Sequence, residues 1–240
     1  MSFICWGVSQ ENRLKSNRFN LPCEGQDKFL RFSKKILWLL FVFSWMIQVA
    51  AGGTILQKSD GGVSFQIEII TEGLGVPWGM VFISPDQILF TERNGKIGIL
   101  DTVSGVITRI SGGPKVMHSG QGGLLDVAVP TDFVPGDWIY FTYSKEKNGN
   151  GVTALARAKL DGKRLVALED LLVTLSASST GRHFGSRIAF DGKGHLFFSV
   201  GDRGVRPNAQ NLSTHAGSIL RLTLNGSVPA DNPFVHQTGV

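Results

Sequence analysis

Cysteine is almost missing from this chain. Both cysteines, Cys5 and Cys23, fall within the first 51 residues, and residues 52–240 contain none. That excludes a disulfide framework and a zinc–thiolate site, so the body must be held together by core burial, which its length permits. A surplus of positive charge is missing from the body as well. Residues 1–51 carry seven Lys/Arg against three Asp/Glu, which leaves 17 against 16 in residues 52–240. Nucleic-acid binding therefore loses its electrostatic support, because phosphate recognition needs a basic patch on the folded domain. No two histidines stand at metal-ligand spacing, and the body shows no long amphipathic helical pattern.

What is present is glycine and strand-forming residues. The chain has 30 glycines and is 42% hydrophobic, which favours strands joined by tight turns and an all-β class. Arg31, Lys34 and Lys35 precede the apolar run Ile36–Ile47, and Val49-Ala50-Ala51 supplies small residues suited to signal-peptidase cleavage. Residues 1–51 are thus read as a leader: a signal peptide, or alternatively a membrane anchor through the apolar stretch 36–49, in either case as a hydrophobic helix. The body, 52–240, is expected to be periplasmic or secreted, or held at the inner membrane through that anchor.

An internal repeat organises the body. Phe82–Thr91, Val127–Thr142 and Ile188–Ser199 each pair an apolar strand, a polar turn and a second apolar strand, at intervals of roughly 50 to 60 residues, the range of β-propeller blades. Lys96–Leu100, Ala154–Leu160 and Ser218–Leu224 supply outer strands. They adjoin Asn94-Gly95, Asp161-Gly162 and Asn225-Gly226, dipeptides expected to form type I′ hairpin turns. The reading is a β-propeller of which about three to four blades are present. The innermost strands are expected near 79–83, 127–129 and 186–190.

Three segments concentrate polar chemistry. Ser119–Val127 is glycine-rich around Gln121. Ser178–Arg187 places Arg182 and His183 between Gly181 and Gly185, and Gly201-Asp202-Arg203-Gly204 follows one strand later. The last is not a Rossmann fingerprint, since it lacks the third glycine and a following helix. A histidine in a loop at the mouth of such a fold suits proton transfer near neutral pH. A carboxylate at the end of the next strand could fix its tautomer, with Arg187 balancing that carboxylate. His118 could flank the cleft; His195 is placed in a turn, and His215 and His236 in loops without partners.

These segments resemble the soluble quinoprotein glucose and sorbosone dehydrogenase family, from about Val63 to the C-terminus. The resemblance implies a six-bladed propeller that oxidises aldose sugars to lactones with pyrroloquinoline quinone (PQQ) and calcium. It implies His183 as the proton-abstracting base, Asp202 and Arg187 as its supporting catalytic groups, and Gln121 as a sugar contact. Arg182, also placed at the sugar, departs from the pattern: the best-known glucose oxidiser has an aspartate there, and a guanidinium cannot accept a hydroxyl proton. The likeness is therefore to the broad-specificity aldose sugar dehydrogenases, with a small-molecule sugar as partner. A non-catalytic extracellular propeller that binds a protein or glycan is the alternative. A six-bladed lactonase would need a cluster of acidic and asparagine calcium ligands, which this stretch lacks.

The family's quinone- and calcium-binding groups are expected beyond Val240, which leaves no metal ligand assigned here and makes the chain look C-terminally truncated. Residues 52–240 alone should then show no sugar-dependent dye reduction with added PQQ and calcium, whereas a longer product of the same gene should. Comparable rates from both would contradict this expectation.

Overall fold

The computed structural model describes residues 3–7, 54–60 and 63–237. The apolar stretch 36–49, with the signal or anchor helix expected there, lies outside them. Among the described residues no helix is long and apolar enough to cross a membrane. The chain divides into two compact units, Phe3–Ile70 and a larger one from Thr71 onward.

The smaller unit is a sheet of three strands, β1 (Phe3–Gly7), β2 (Thr54–Asp60) and β3 (Val63–Thr71), with β3 in the middle. β2 and β3 form an antiparallel hairpin closed where Asp60 faces Val63.

The larger unit contains three antiparallel sheets. The first runs β4 (Pro77–Ser84), β5 (Gln87–Glu92), β6 (Ile97–Asp101) and β7 (Ile107–Ile110). The second runs β8 (Leu124–Ala128), β9 (Trp138–Lys147), β10 (Asn150–Asp161) and β11 (Arg164–Val173). The third has β12 (Ile188–Phe190), β13 (His195–Val200) and β14 (Ser218–Thr223). Each is a meander in chain order. The first strands are neighbours, β4 against β8 and β8 against β12, as they are when blades fan out from an axis. They begin within a few residues of the positions expected from the repeat. A short 3-10 helix, Arg206–Gln210, is the one helical element among the described residues.

The inner strands of the second sheet, β9 and β10, are buried on both faces, and period-two alternation shows how. On β9, Ile139, Phe141 and Tyr143 join the core shared with the first sheet, while Tyr140 joins the core shared with the third. On β10, Ala154, Ala156 and Ala158 face the first core and Leu155 the second. A strand with two apolar faces reads as a continuous hydrophobic run, which is how Trp138–Phe141 appears in the sequence.

The turns depart from expectation. At Asn94-Gly95 and Asn225-Gly226 only the glycine has positive φ (96° and 85°). There the Gly95 and Gly226 N–H groups bond back to Glu92 and Thr223 at 2.9 Å, so each is a three-residue loop with a glycine bulge. At Asp161-Gly162 the loop is Gly162-Lys163, again with glycine alone at positive φ (54°). The type I′ pattern occurs instead at Asn148-Gly149, φ 53° and 76°, closing the long β9–β10 hairpin. Pairing register decides which dipeptide sits at the two central positions.

Close approach between β4 and β8 depends on Gly79. A Cβ there would lie 2.7 Å from Asp126 Oδ1 and 2.8 Å from the Val127 nitrogen. Thr91, fully buried, ties the same junction, accepting the Gly79 N–H at 3.0 Å and donating to the Leu125 carbonyl at 2.5 Å. Gly79→Ala should therefore destabilise the protein by about 1–3 kcal/mol, the range for overpacking a tight contact. An unchanged urea midpoint would show that the two strands can separate freely.

Candidate active site

The loop between β11 and β12 is fastened from beneath by buried hydroxyls of the second sheet. Thr153 Oγ1 on β10 donates to the Phe184 carbonyl at 2.8 Å, and Thr142 Oγ1 on β9 donates to the Ser186 carbonyl at 2.8 Å. From the third sheet the Ser199 carbonyl accepts the Ser186 N–H at 2.6 Å. Held this way, His183 (φ 57°) and Ser186 (φ 102°) occupy a region that ordinary side chains rarely adopt, at a typical cost of about 1–3 kcal/mol each. A Cβ on Gly201 would lie 2.3 Å from the His183 carbonyl, so the strand end that carries Asp202 needs glycine to pass beneath the histidine.

Two side chains converge on His183. Its Nδ1 lies 2.6 Å from Asp202 Oδ1, and its backbone N–H donates to Gln121 Oε1 at 2.7 Å. Gln121 is anchored in turn by its N–H to the Gly181 carbonyl at 2.7 Å. Because an ionised carboxylate only accepts, the neutral imidazole carries its proton on Nδ1 and leaves a lone pair on Nε2. The Asp202 carboxyl is held below the ordinary range, first by the His183 hydrogen bond and then by the Gly204 N–H at 2.8 Å.

Arg187 does not balance Asp202, contrary to the expectation. Its Nη1 reaches Asp126 Oδ1 on β8 at 2.7 Å, and its guanidinium lies 5.4 Å from the Trp78 ring centre. Asp126 also accepts the Ile188 N–H at 2.7 Å, so this pair joins the first strands of all three sheets. Desolvation pushes the Asp126 carboxyl up despite these bonds, because the side chain is almost fully enclosed. The cation whose charge acts on Asp202 is Arg182, exposed, with its guanidinium against Gly204.

Arg203 was not expected at the site. It is 1% exposed, at φ 58°, with its guanidinium 3.6 Å from the Phe184 ring centre. Nε donates to the Ser176 carbonyl (3.2 Å), Nη2 to the Gly151 (3.1 Å) and Thr180 (3.0 Å) carbonyls, and Nη1 to that of Arg182. Desolvation brings its pKa down to about 10, which still leaves it charged at neutral pH.

His183 opens onto a cleft of about 360 Å³ lined also by Trp78, Arg93, Gln121, Leu125 and Phe184. Arg93, in the β5–β6 turn, donates through Nη1 to the Gly120 carbonyl at 2.8 Å, and its buried Nε has no partner among the described residues. Nothing in its sequence context distinguishes it from a solvated turn arginine; the fold brings it to the same cleft as His183. Two other histidines make contacts of their own. His195 pairs with Asp191 at 2.8 Å, and His215, expected without a partner, accepts the Leu175 N–H at 2.9 Å.

An antiparallel all-β unit with a carboxylate-oriented histidine on a cleft offers a base for proton transfer. Comparison with known proteins narrows this. The family description "Glucose / Sorbosone dehydrogenase" matches residues 74–240, and the chain belongs to that family. It is 36% identical over 178 residues to aldose sugar dehydrogenase YliI of Escherichia coli K12, covering 72% of this chain and 48% of that protein. It is 28% identical over 201 residues to quinoprotein glucose dehydrogenase B of Acinetobacter calcoaceticus, covering 71% and 41%. The PQQ-bound aldose sugar dehydrogenase of Streptomyces coelicolor superposes with a TM-score of 0.62 at 25% identity, over 77% of this chain and 52% of that one. The chain thus spans about half the length of the relatives it matches.

The Asp202 geometry sets a pH dependence. A carboxyl whose folded pKa lies below its unfolded value contributes stability above the unfolded value, and loses it as pH falls through the folded one. Asp202→Asn should therefore show a shallower fall in urea midpoint from about pH 5 to about pH 2.5 than the parent protein. Equal slopes would mean that the His183 bond does not act on Asp202 in solution.

Proposed function

We propose that the product of the complete gene is an exported, PQQ-dependent aldose sugar dehydrogenase and that this chain supplies its base and part of its sugar pocket. The observation that carries the reading is the 2.6 Å bond from His183 Nδ1 to Asp202, with the imidazole lining the cleft. Export rests on the basic and apolar pattern at 31–51.

The cleft lining fits a flat polyanion. Trp78 offers a planar apolar wall, and Arg93 has a buried N–H without a partner among the described residues. These two would face the quinone. When bound, PQQ supplies a two-electron acceptor for the hydride on C1 of the sugar. His183 Nε2 takes the proton of the anomeric hydroxyl as that hydride leaves, so that the C1–O bond becomes the lactone carbonyl. Asp202 holds the ring in the required tautomer and stabilises the imidazolium that forms. Gln121 spends its oxygen on the His183 N–H, leaving its amide NH₂ for a sugar hydroxyl. Arg182, exposed with its guanidinium against Gly204, places a cation near Asp202 and would favour sugars that present acceptors there. Among the described residues no three His, Cys, Asp or Glu side chains gather to hold a metal ion.

His183→Ala in the complete gene product, supplied with PQQ and calcium, should lower turnover roughly 10²-fold or more, the usual contribution of a general base. Sugar-dependent dye reduction at near-parental rate would remove His183 from the reaction.

A further inference from the structure

We propose that Arg203 is a positioning residue for the base: its buried guanidinium sets the orientation of His183 by clamping the peptide that precedes it. This rests on the reading of His183 as the base.

The peptide joining Arg182 to His183 is held from both sides by side chains. Its carbonyl accepts from Arg203 Nη1, and its N–H donates to Gln121 Oε1 at 2.7 Å. Its single N–H and one of its carbonyl's two lone pairs are thereby used, and the left-handed φ of His183 (57°) follows directly after this clamp. The same guanidinium holds the Thr180 and Ser176 carbonyls upstream and Gly151 on β10, so the loop is tied to the second sheet along its length. The link also runs outward, since the Arg203 carbonyl accepts Thr180 Oγ1 at 2.7 Å.

Arg203 is also the residue next to Asp202. One backbone segment therefore carries both the carboxylate that orients the imidazole and the cation that orients its peptide. Moving either shifts the Nδ1–Oδ1 distance. Phe184, immediately after His183, stacks on the guanidinium at 3.6 Å and closes the clamp from the other side. A lysine would carry the charge but present its donors from one point, and could not span four carbonyls set around a planar fork.

The test compares Arg203→Lys and Arg203→Met in the 240-residue chain by ¹⁵N NMR of the histidine rings, with His183→Ala to assign the signal. In the parent protein with the ring neutral, His183 should show a protonated Nδ1 and an unprotonated Nε2. In both variants the two nitrogens should move toward averaged shifts. In the complete gene product kcat should fall about tenfold or more while KM stays within about twofold, as expected when misplacement of about 1 Å slows chemistry and leaves binding. A variant that melts earlier but keeps the fixed tautomer and the kcat would overturn the proposal. So would failure of both variants to fold, which would make Arg203 a support of the fold and not of the histidine. The ring signals need no turnover, so they answer even if sugar oxidation itself is never observed.

Discussion

A guanidinium with 1% exposure organises the site. Burying a cation is costly unless its donors are satisfied, and Arg203 meets that condition with carbonyls, having no carboxylate partner among the described residues. Carbonyl partners do not discharge it, and they belong to two segments that would otherwise be separate: the loop 176–182 and β10 at Gly151. The arrangement leaves the nearby Asp202 carboxylate free for the imidazole. Had Asp202 paired with the cation beside it, His183 would have lacked its orienting acceptor.

Everything around that charge depends on the second sheet being an interior layer. Because β9 and β10 bury both faces, their polar residues near the loop, Thr142 and Thr153, are enclosed and spend their hydroxyls on loop carbonyls. Asp126 plays the matching part at the first strands, accepting from Arg187 and from the Ile188 N–H. Rigid strands thus fix a loop whose backbone is strained at His183 and Ser186. The cleft forms where the three sheets' first strands and their connecting loops meet.

How much of this could be read from residues alone follows from the range of each interaction. Strand alternation is local, so the paired strands and their order emerged from the repeat, as did the neighbourhood of His183, Gln121 and Asp202 through the resemblance. The Arg187 partner was misjudged because Asp126 lies 61 positions away and is brought close only by the packing of β8 on β12. Arg203 is illegible for a related reason: in sequence it is one charge in a glycine turn, and its role depends on four carbonyls spread over Gly151–Arg182. The hairpin turns show the same limit on a smaller scale. Asn-Gly at 94–95 and at 148–149 are identical as dipeptides, and only strand register makes the second a type I′ turn.

The central claim is that His183 Nε2 receives the anomeric proton. The most direct measurement is a structure of the complete gene product with PQQ and an aldose bound. The account predicts the anomeric oxygen about 2.6–3.2 Å from Nε2, with the Nδ1–Asp202 bond retained. A sugar bound in the cleft with that oxygen on another side chain, and His183 turned away, would contradict it.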